Sequence, residues 1–211
     1  MNRIPSGDDK VSKMASIASS VLQKELNKSI KYSFLDIGCG NGRDINFLSS
    51  NFDNLIIRGI DISFKDIEKA IELNSNKENI TFECMNWKDL DDTQYDIIYI
   101  SGVYHFFKMA DRTTFISKIK KILKPNGFFF LNTLSANDQQ YYGKGLSVKN
   151  DLNSFQSEFF IHFCSKDELL RDFKFLKIID LFEYFHKNYS KDTEYHTMWI
   201  LIGKYVVNIG L

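Results

Sequence analysis

Apolar residues at Val11, Met14, Ala15, Ala18, Val21, Leu22 and Leu26 recur every three to four positions. That period predicts an amphipathic helix over residues 11–28. The next apolar run, through Phe34 and Leu35, ends in Asp36 and gives way to alternating glycines before a helical pattern resumes at Ile45, Phe47 and Leu48. Strand, tight turn and helix follow in that order. Leu55 to Ile60 form a second run closed by Asp61, and Ser63 with Asp66 has the spacing of a capping box for a helix through Ile67, Ala70, Ile71 and Leu73. Residues 80–84 alternate apolar with polar as a short strand does, whereas residues 95–101 are nearly all apolar after Asp96, as in a parallel strand covered on both faces. Phe115, Ile116, Ile119, Ile122 and Leu123 then predict a helix from Asp111 that stops at Pro125, with Asn126 and Gly127 turning into a strand over residues 128–131. Strands alternating with helices predict an α/β, doubly wound, mostly parallel sheet with helices on both faces.

After Thr133 the rhythm breaks. Residues 134–164 combine Gly143, Gly145 and several Asn and Ser with Tyr141, Tyr142, Phe155, Phe159, Phe160 and Phe163, which predicts an ordered functional loop. Ser165 is placed to cap a short helix through Leu169 and Leu170. Two strand-like runs, 173–185 and 195–204, predict an antiparallel hairpin at the sheet edge, turning near Ser190.

The 211 residues fit one domain, and 27 basic against 27 acidic side chains leave no net field to draw the chain to nucleic acid or anionic membrane. No apolar run approaches the roughly 18 residues of a spanning helix and no signal-peptide pattern opens the chain, so the expectation is a soluble, cytoplasmic protein. Cys39, Cys84 and Cys164 form no CxxC pair and are expected to be reduced thiols.

The chemistry centres on Asp36-x-Gly38-x-Gly40-x-Gly42. Glycine admits positive φ and leaves no Cβ between backbone and ligand, and the N–H groups of the following helix point into the same space. Asp36, a carboxylate beside that turn, suits a ligand with a cationic group better than a pyrophosphate. Asp61 ends the second strand about 20 residues further on, where a carboxylate can accept both hydroxyls of a ribose. Ile62 offers an apolar edge to a base, the amide of Asn86 can meet an exocyclic amine, with Trp87 beside it as a packing residue, and Ser101-Gly102 approaches the middle of the crevice. This ordered set resembles the class I S-adenosylmethionine-dependent methyltransferases: residues 38–43 resemble motif I, residues 59–63 the ribose motif, residues 95–101 the fourth-strand motif and residues 123–128 the turn into the fifth strand. Asn86 departs from the family, which more often has Asp there. Residues 194–202 are similar to the closing strand of the tellurite-resistance and thiopurine methyltransferase group. The resemblance implies a seven-stranded Rossmann-like sheet, S-adenosyl-L-methionine as cofactor, a small-molecule acceptor, and cofactor contacts from Asp36, Gly38, Cys39, Gly40, Asn41, Gly42, Asp61, Ile62, Asn86, Trp87 and Ser101.

An activated sulfonium needs no metal, and no HExxH or cysteine-histidine cluster is visible along the chain, so no metal site is expected. A base is needed only for a hydroxyl or ammonium acceptor, and His105 and His162 are the candidates, with His196 behind them. His105, four residues past Ser101, lies nearest the expected acceptor position. Tyr142, Phe160, His162 and Phe163 are read as a substrate lid within 134–164, and the helix over 11–28 as a cover on the site. Lys118, Lys120, Lys121 and Lys124 sit on a polar helix face and last turn, a solvated surface rather than a nucleic-acid site. Two other readings stand beside the leading one. A methyltransferase acting on RNA or protein is disfavoured by the neutral charge and by Ser101-Gly102-Val103-Tyr104 where an Asn-Pro-Pro-Tyr-like motif would stand. A non-catalytic scaffold is disfavoured by intact Asp36, Gly40 and Asp61.

Overall fold

The computed structural model describes residues 11–187 and 195–206. Ser12 caps the first helix, α1 (Lys13–Glu25), its hydroxyl accepting from the Ala15 N–H, and Met14, Ala15, Ala18 and Leu22 form the buried stripe. Then come β1 (Tyr32–Ile37), α2 (Arg43–Asn51), β2 (Leu55–Asp61), α3 (Phe64–Leu73) and β3 (Ile80–Cys84). Ser63 caps α3 by accepting from the Asp66 N–H, as its spacing predicts. A 3-10 turn over Trp87–Asp89 leads to β4 (Tyr95–Ser101), and a second over Tyr104–Phe106 leads to α4 (Met109–Ile122) and β5 (Leu123–Leu134). The order β3-β2-β1-β4-β5 is parallel throughout.

Adjacent residues in the central strands serve opposite faces, which is why their sequences read as unbroken apolar runs. Phe34, Ile97, Tyr99 and Phe130 pack with α1 and α2 on one face. Leu35, Ile98, Ile100 and Phe129 pack with α4 on the other. The turn predicted at Asn126-Gly127 lies instead within β5: Asn126 takes φ +63°, and Leu123 already pairs with Tyr95 before the register shifts.

Residues 134–164 hold more regular structure than a loop. They contain a small antiparallel sheet, β6 (Leu146–Ser147), β7 (Ser154–Gln156) and β8 (Phe160–His162), over an apolar cluster of Leu134, Phe155, Phe163 and Met198. After α5 (Lys166–Asp172), β9 (Lys177–Lys187) and β10 (Tyr195–Lys204) complete the main sheet, β10 antiparallel to both β5 and β9. The run expected to be strand from 173 starts later because Phe173 closes α5, its N–H bonded to the Leu169 carbonyl. The hairpin turn near Ser190 lies outside the described residues.

Candidate active site

The chain leaves β1 towards β2 and leaves β4 towards β5, so the order reverses between neighbours β1 and β4, and their carboxyl ends open a crevice. Three glycines shape its floor. Gly38, Gly40 and Gly42 take φ of +79°, +57° and +72°. A Cβ on Gly38 would stand 2.2 Å from Val103 Cγ2, and one on Gly42 would meet Ala70, Asn74 and Phe82 at 2.9 to 3.1 Å. The first glycine therefore admits the loop after β4, and the third admits α3 and β3. Cys39 is buried at the bend, while Asn41 is exposed and accepts the Arg43 N–H.

Asp61, 2% exposed, holds this loop in place. One oxygen accepts the Gly40 N–H at 3.0 Å and the other the Ser63 N–H at 2.9 Å, so one carboxylate clamps the glycine turn to the start of α3. Asp36 is equally buried at the end of β1, and its charge helps to raise the Tyr99 phenol above its usual range, after burial and Asp44. Ile62 is half exposed on the rim. Asn86 is exposed and its side-chain oxygen accepts the Lys88 N–H at 3.0 Å, capping the 3-10 turn. Trp87 packs into the core, its ring 5.2 Å from Phe107 and 5.0 Å from Phe115. Ser101 is half-buried at the crevice midpoint, and Gly102 turns the chain at φ +72°. Of the three thiols, Cys39 and Cys164 are buried and Cys84 is exposed at the end of β3, its sulfur 3.7 Å from the Ile62 carbonyl oxygen.

The sequence reading misses one group beside this floor. Asp44 in the first turn of α2 accepts from the Ser12 N–H (3.1 Å), the Ser12 hydroxyl (2.6 Å) and the Tyr99 hydroxyl (2.8 Å). The bond network fixes the start of α1 against the helix that leaves the glycine turn. Two signals mark it in retrospect: an acid in a helix's first turn and a tyrosine between isoleucines in the buried middle of β4.

The histidines separate on inspection. His105 is 4% exposed, and Nδ1 has no hydrogen-bond partner among the described residues. Burial, with smaller contributions from His196 and His162, pushes it down to about 3, so its ring is neutral. His162 differs: Nδ1 shares a hydrogen bond with the Ser154 hydroxyl at 2.8 Å and Nε2 one with Glu168 at 2.9 Å. With both nitrogens engaged and the ring fully buried, His162 sits inside the polar group that joins β8 to β7 and α5. His196 stacks on Tyr141 at 4.7 Å, near Asp138. The carboxylate of Asp138 in turn accepts the Thr197 and Tyr141 N–H groups.

The four residues read as one lid also divide. Tyr142 meets Phe155 and Phe163 edge-on within the insertion, His162 belongs to a buried ionic group, and Phe160 lines an outer groove. That ionic group joins Arg112 to Asp151 at 2.6 Å and brings Arg112 Nε to 3.7 Å from Glu168. The fold also gathers His162, Cys164 and Glu168, with donor atoms within 4.8 Å of one another, a cysteine-histidine cluster whose spacing does not show in the sequence. Glu168 faces the Arg112 guanidinium, the Ser154 hydroxyl engages His162 and the Thr133 hydroxyl lies 3.8 Å from the Cys164 sulfur, and a cation there would meet a fixed positive charge.

Three glycines at positive φ thus lie between two buried carboxylates at the switch point, an arrangement of charge suited to a ligand with a positive centre. Residues 35–129 match the family described as a methyltransferase domain. That stretch, a little under half of the chain, is similar to a methyltransferase domain. The curated relatives of the chain include the cyclopropane-fatty-acyl-phospholipid synthase of Escherichia coli strain K12, 29% identical over 119 residues, which cover 56% of this chain and 28% of that one. The chain thus spans little more than a quarter of that relative's length. Among solved structures, a Methanosarcina mazei S-adenosylmethionine-dependent methyltransferase superposes with a TM-score of 0.73 at 18% identity, covering 89% of this chain and 98% of that one. TehB of Haemophilus influenzae gives 0.69 at 14% identity over 92% and 62%. The Burkholderia thailandensis 1,6-didemethyltoxoflavin N1-methyltransferase, solved with that compound and S-adenosylhomocysteine, gives 0.67 at 15% over 92% and 79%. The sheet, with five parallel strands and β10 inserted antiparallel between β5 and β9, is the Rossmann-like fold that these solved structures share.

Proposed function

We propose that the protein transfers the methyl group of S-adenosylmethionine to a small-molecule nucleophile, an oxygen, nitrogen or sulfur atom, by in-line displacement, as a cytoplasmic enzyme of the tellurite-resistance and thiopurine group. The observation that carries this reading is the Asp61 clamp on a glycine turn at the switch point, with buried Asp36 one strand over. The bound cofactor supplies a methyl group on a sulfonium, already an activated leaving group. The rest is positioning. The backbone of residues 38–42 lets the ligand approach, Asp36 and Asp61 offset its positive charge and orient its ribose, Ile62 borders the base, and the Asn86-Trp87 turn closes the far side. Ser101 and Gly102 leave room at the reacting centre, and His105 stands on the acceptor side as a neutral ring able to accept a hydrogen bond. His162 holds the insertion instead of taking a proton. The insertion over 134–164 and α1 exclude water and keep nucleophile and methyl carbon in near-attack geometry.

The B. thailandensis N1-methyltransferase, with 1,6-didemethyltoxoflavin bound, supports a small acceptor of this kind, as does the balanced charge of the chain. Among the described residues no helix is long and apolar enough to cross a membrane. The test is calorimetric titration with S-adenosylhomocysteine, followed by a screen of thiols, amines, hydroxyl compounds, tellurite and selenite for release of the demethylated cofactor. Asp61→Ala should weaken cofactor binding by roughly 1 to 3 kcal/mol, the range for lost charged hydrogen bonds. Undiminished affinity in that variant refutes the assignment.

A further inference from the structure

An open groove of about 470 Å³ lies where the start of α4 meets the outer side of the 134–164 insertion. Its surface is mainly apolar, from Met109, Ala110, Leu146, Val148 and Phe160, with Ser147, Asn150 and Gln156 also lining it. Met109 is 51% and Leu146 78% exposed, and Leu152, beyond the following turn, is 84% exposed. Large side chains clustered at such exposure in one place call for an occupant.

The charges at the groove restrict what that occupant can be. Lys108 and Lys149 both line it, and neither forms an ion pair among the described residues. The N-terminal end of the 14-residue helix α4 adds a positive end of its dipole at the same place. The nearby acids are already neutralised. Asp151 is buried against Arg112 at 2.6 Å and accepts the Met109 N–H at 3.1 Å, and Asp111 pairs with Lys88 at 2.5 Å. What remains is an apolar channel of ordinary ligand-pocket size with two free ammonium groups on its rim.

We propose that this groove binds a single amphipathic anion, a molecule with an apolar body and one carboxylate or phosphate-like end, with Lys108 and Lys149 holding the charged end and Met109, Leu146, Val148 and Phe160 covering the body. The groove lies outside the glycine crevice, and the proposal stands whether or not methyl transfer is the reaction.

The probe is decanoate, titrated calorimetrically into the full chain below its micelle concentration, with decyltrimethylammonium as the charge-reversed control. One-to-one binding of decanoate is expected, with the cation roughly tenfold or more weaker, the factor that loss of charged hydrogen bonds sets. A Lys108→Glu and Lys149→Glu double variant should lose decanoate affinity by a similar factor, and Leu146→Asn about fivefold or more, both with unchanged affinity for S-adenosylhomocysteine and unchanged melting. Equal binding of the two probes, no binding by about 1 mM, or indifference to the charge reversal overturns the proposal. Two further results also overturn it, because each seats a different occupant on the face: a dimer in sedimentation that Leu146→Asn dissociates, or co-sedimentation with phosphatidylglycerol vesicles that Leu146→Asn and Leu152→Asn abolish.

Discussion

His105 shows what one buried ring can do to stability. In the unfolded chain an imidazole titrates near its ordinary value of about 6.5, whereas the fold holds it neutral down to about 3. Between those values the unfolded state binds the extra proton, so the His105 contribution is complete above the upper value and is lost as pH falls through the window. Urea unfolding of the wild type should therefore lose about 1 kcal/mol per pH unit more than His105→Asn as pH falls from 6.5 to 4.5. Identical slopes would mean that the ring is protonated in the fold. At this scale the sequence was partly legible. Asp36, Asp61 and the glycines stand at strand ends that follow from apolar runs, so their grouping could be read from order alone. The Asp44 network and the engaged nitrogens of His162 could not, because each joins residues from distant segments: Ser12, Asp44 and Tyr99 in one case, Ser154, His162 and Glu168 in the other. Only packing brings those together.

At the scale of elements, the insertion between β5 and α5 is where expectation and structure part most. Aromatic content signalled order, but two- and three-residue strands carry too little period to read, and β6, β7 and β8 are that short. Their anchors are polar. Asp138 ties the insertion to β10 through the Thr197 N–H, and Asp151 ties it to α4 through Arg112. Cutting residues 138–160 to a short linker would remove Asp151 and leave the buried Arg112 guanidinium with only Glu168 and the Phe107 carbonyl, a loss of up to about 3 to 5 kcal/mol for a buried pair broken on one side. The truncation therefore belongs on an Arg112→Met background. There, turnover should vanish while S-adenosylhomocysteine still binds, measured by product release and by calorimetry; full turnover would show that the segment is no lid. The final hairpin was legible in type and not in its start, since Phe173 and Leu176 continue an apolar pattern across the end of α5.

At the scale of the whole molecule, the alternation of runs and helices sufficed for the layered sheet because each central strand has both faces covered, on one side by α1 and α2 and on the other by α4. All seven strands follow from apolar runs, but the order of the last three does not, since spacing alone does not say that β10 enters between β5 and β9. The same architecture places the crevice inside one continuous sheet, so a ligand held there stabilises the fold as a unit. At one hundred times its dissociation constant S-adenosylhomocysteine should add about 2.7 kcal/mol and raise the melting temperature by roughly 5 to 10 °C in scanning fluorimetry, while NADH should not. A matching rise with NADH would reassign the crevice to a dinucleotide. Cys84, meanwhile, is the one exposed sulfur among the three, seated where β3 ends against Ile62. The chain thus comes with its own attachment point for a maleimide dye, and a fluorophore placed there would report on the neighbouring crevice from its rim without an engineered label.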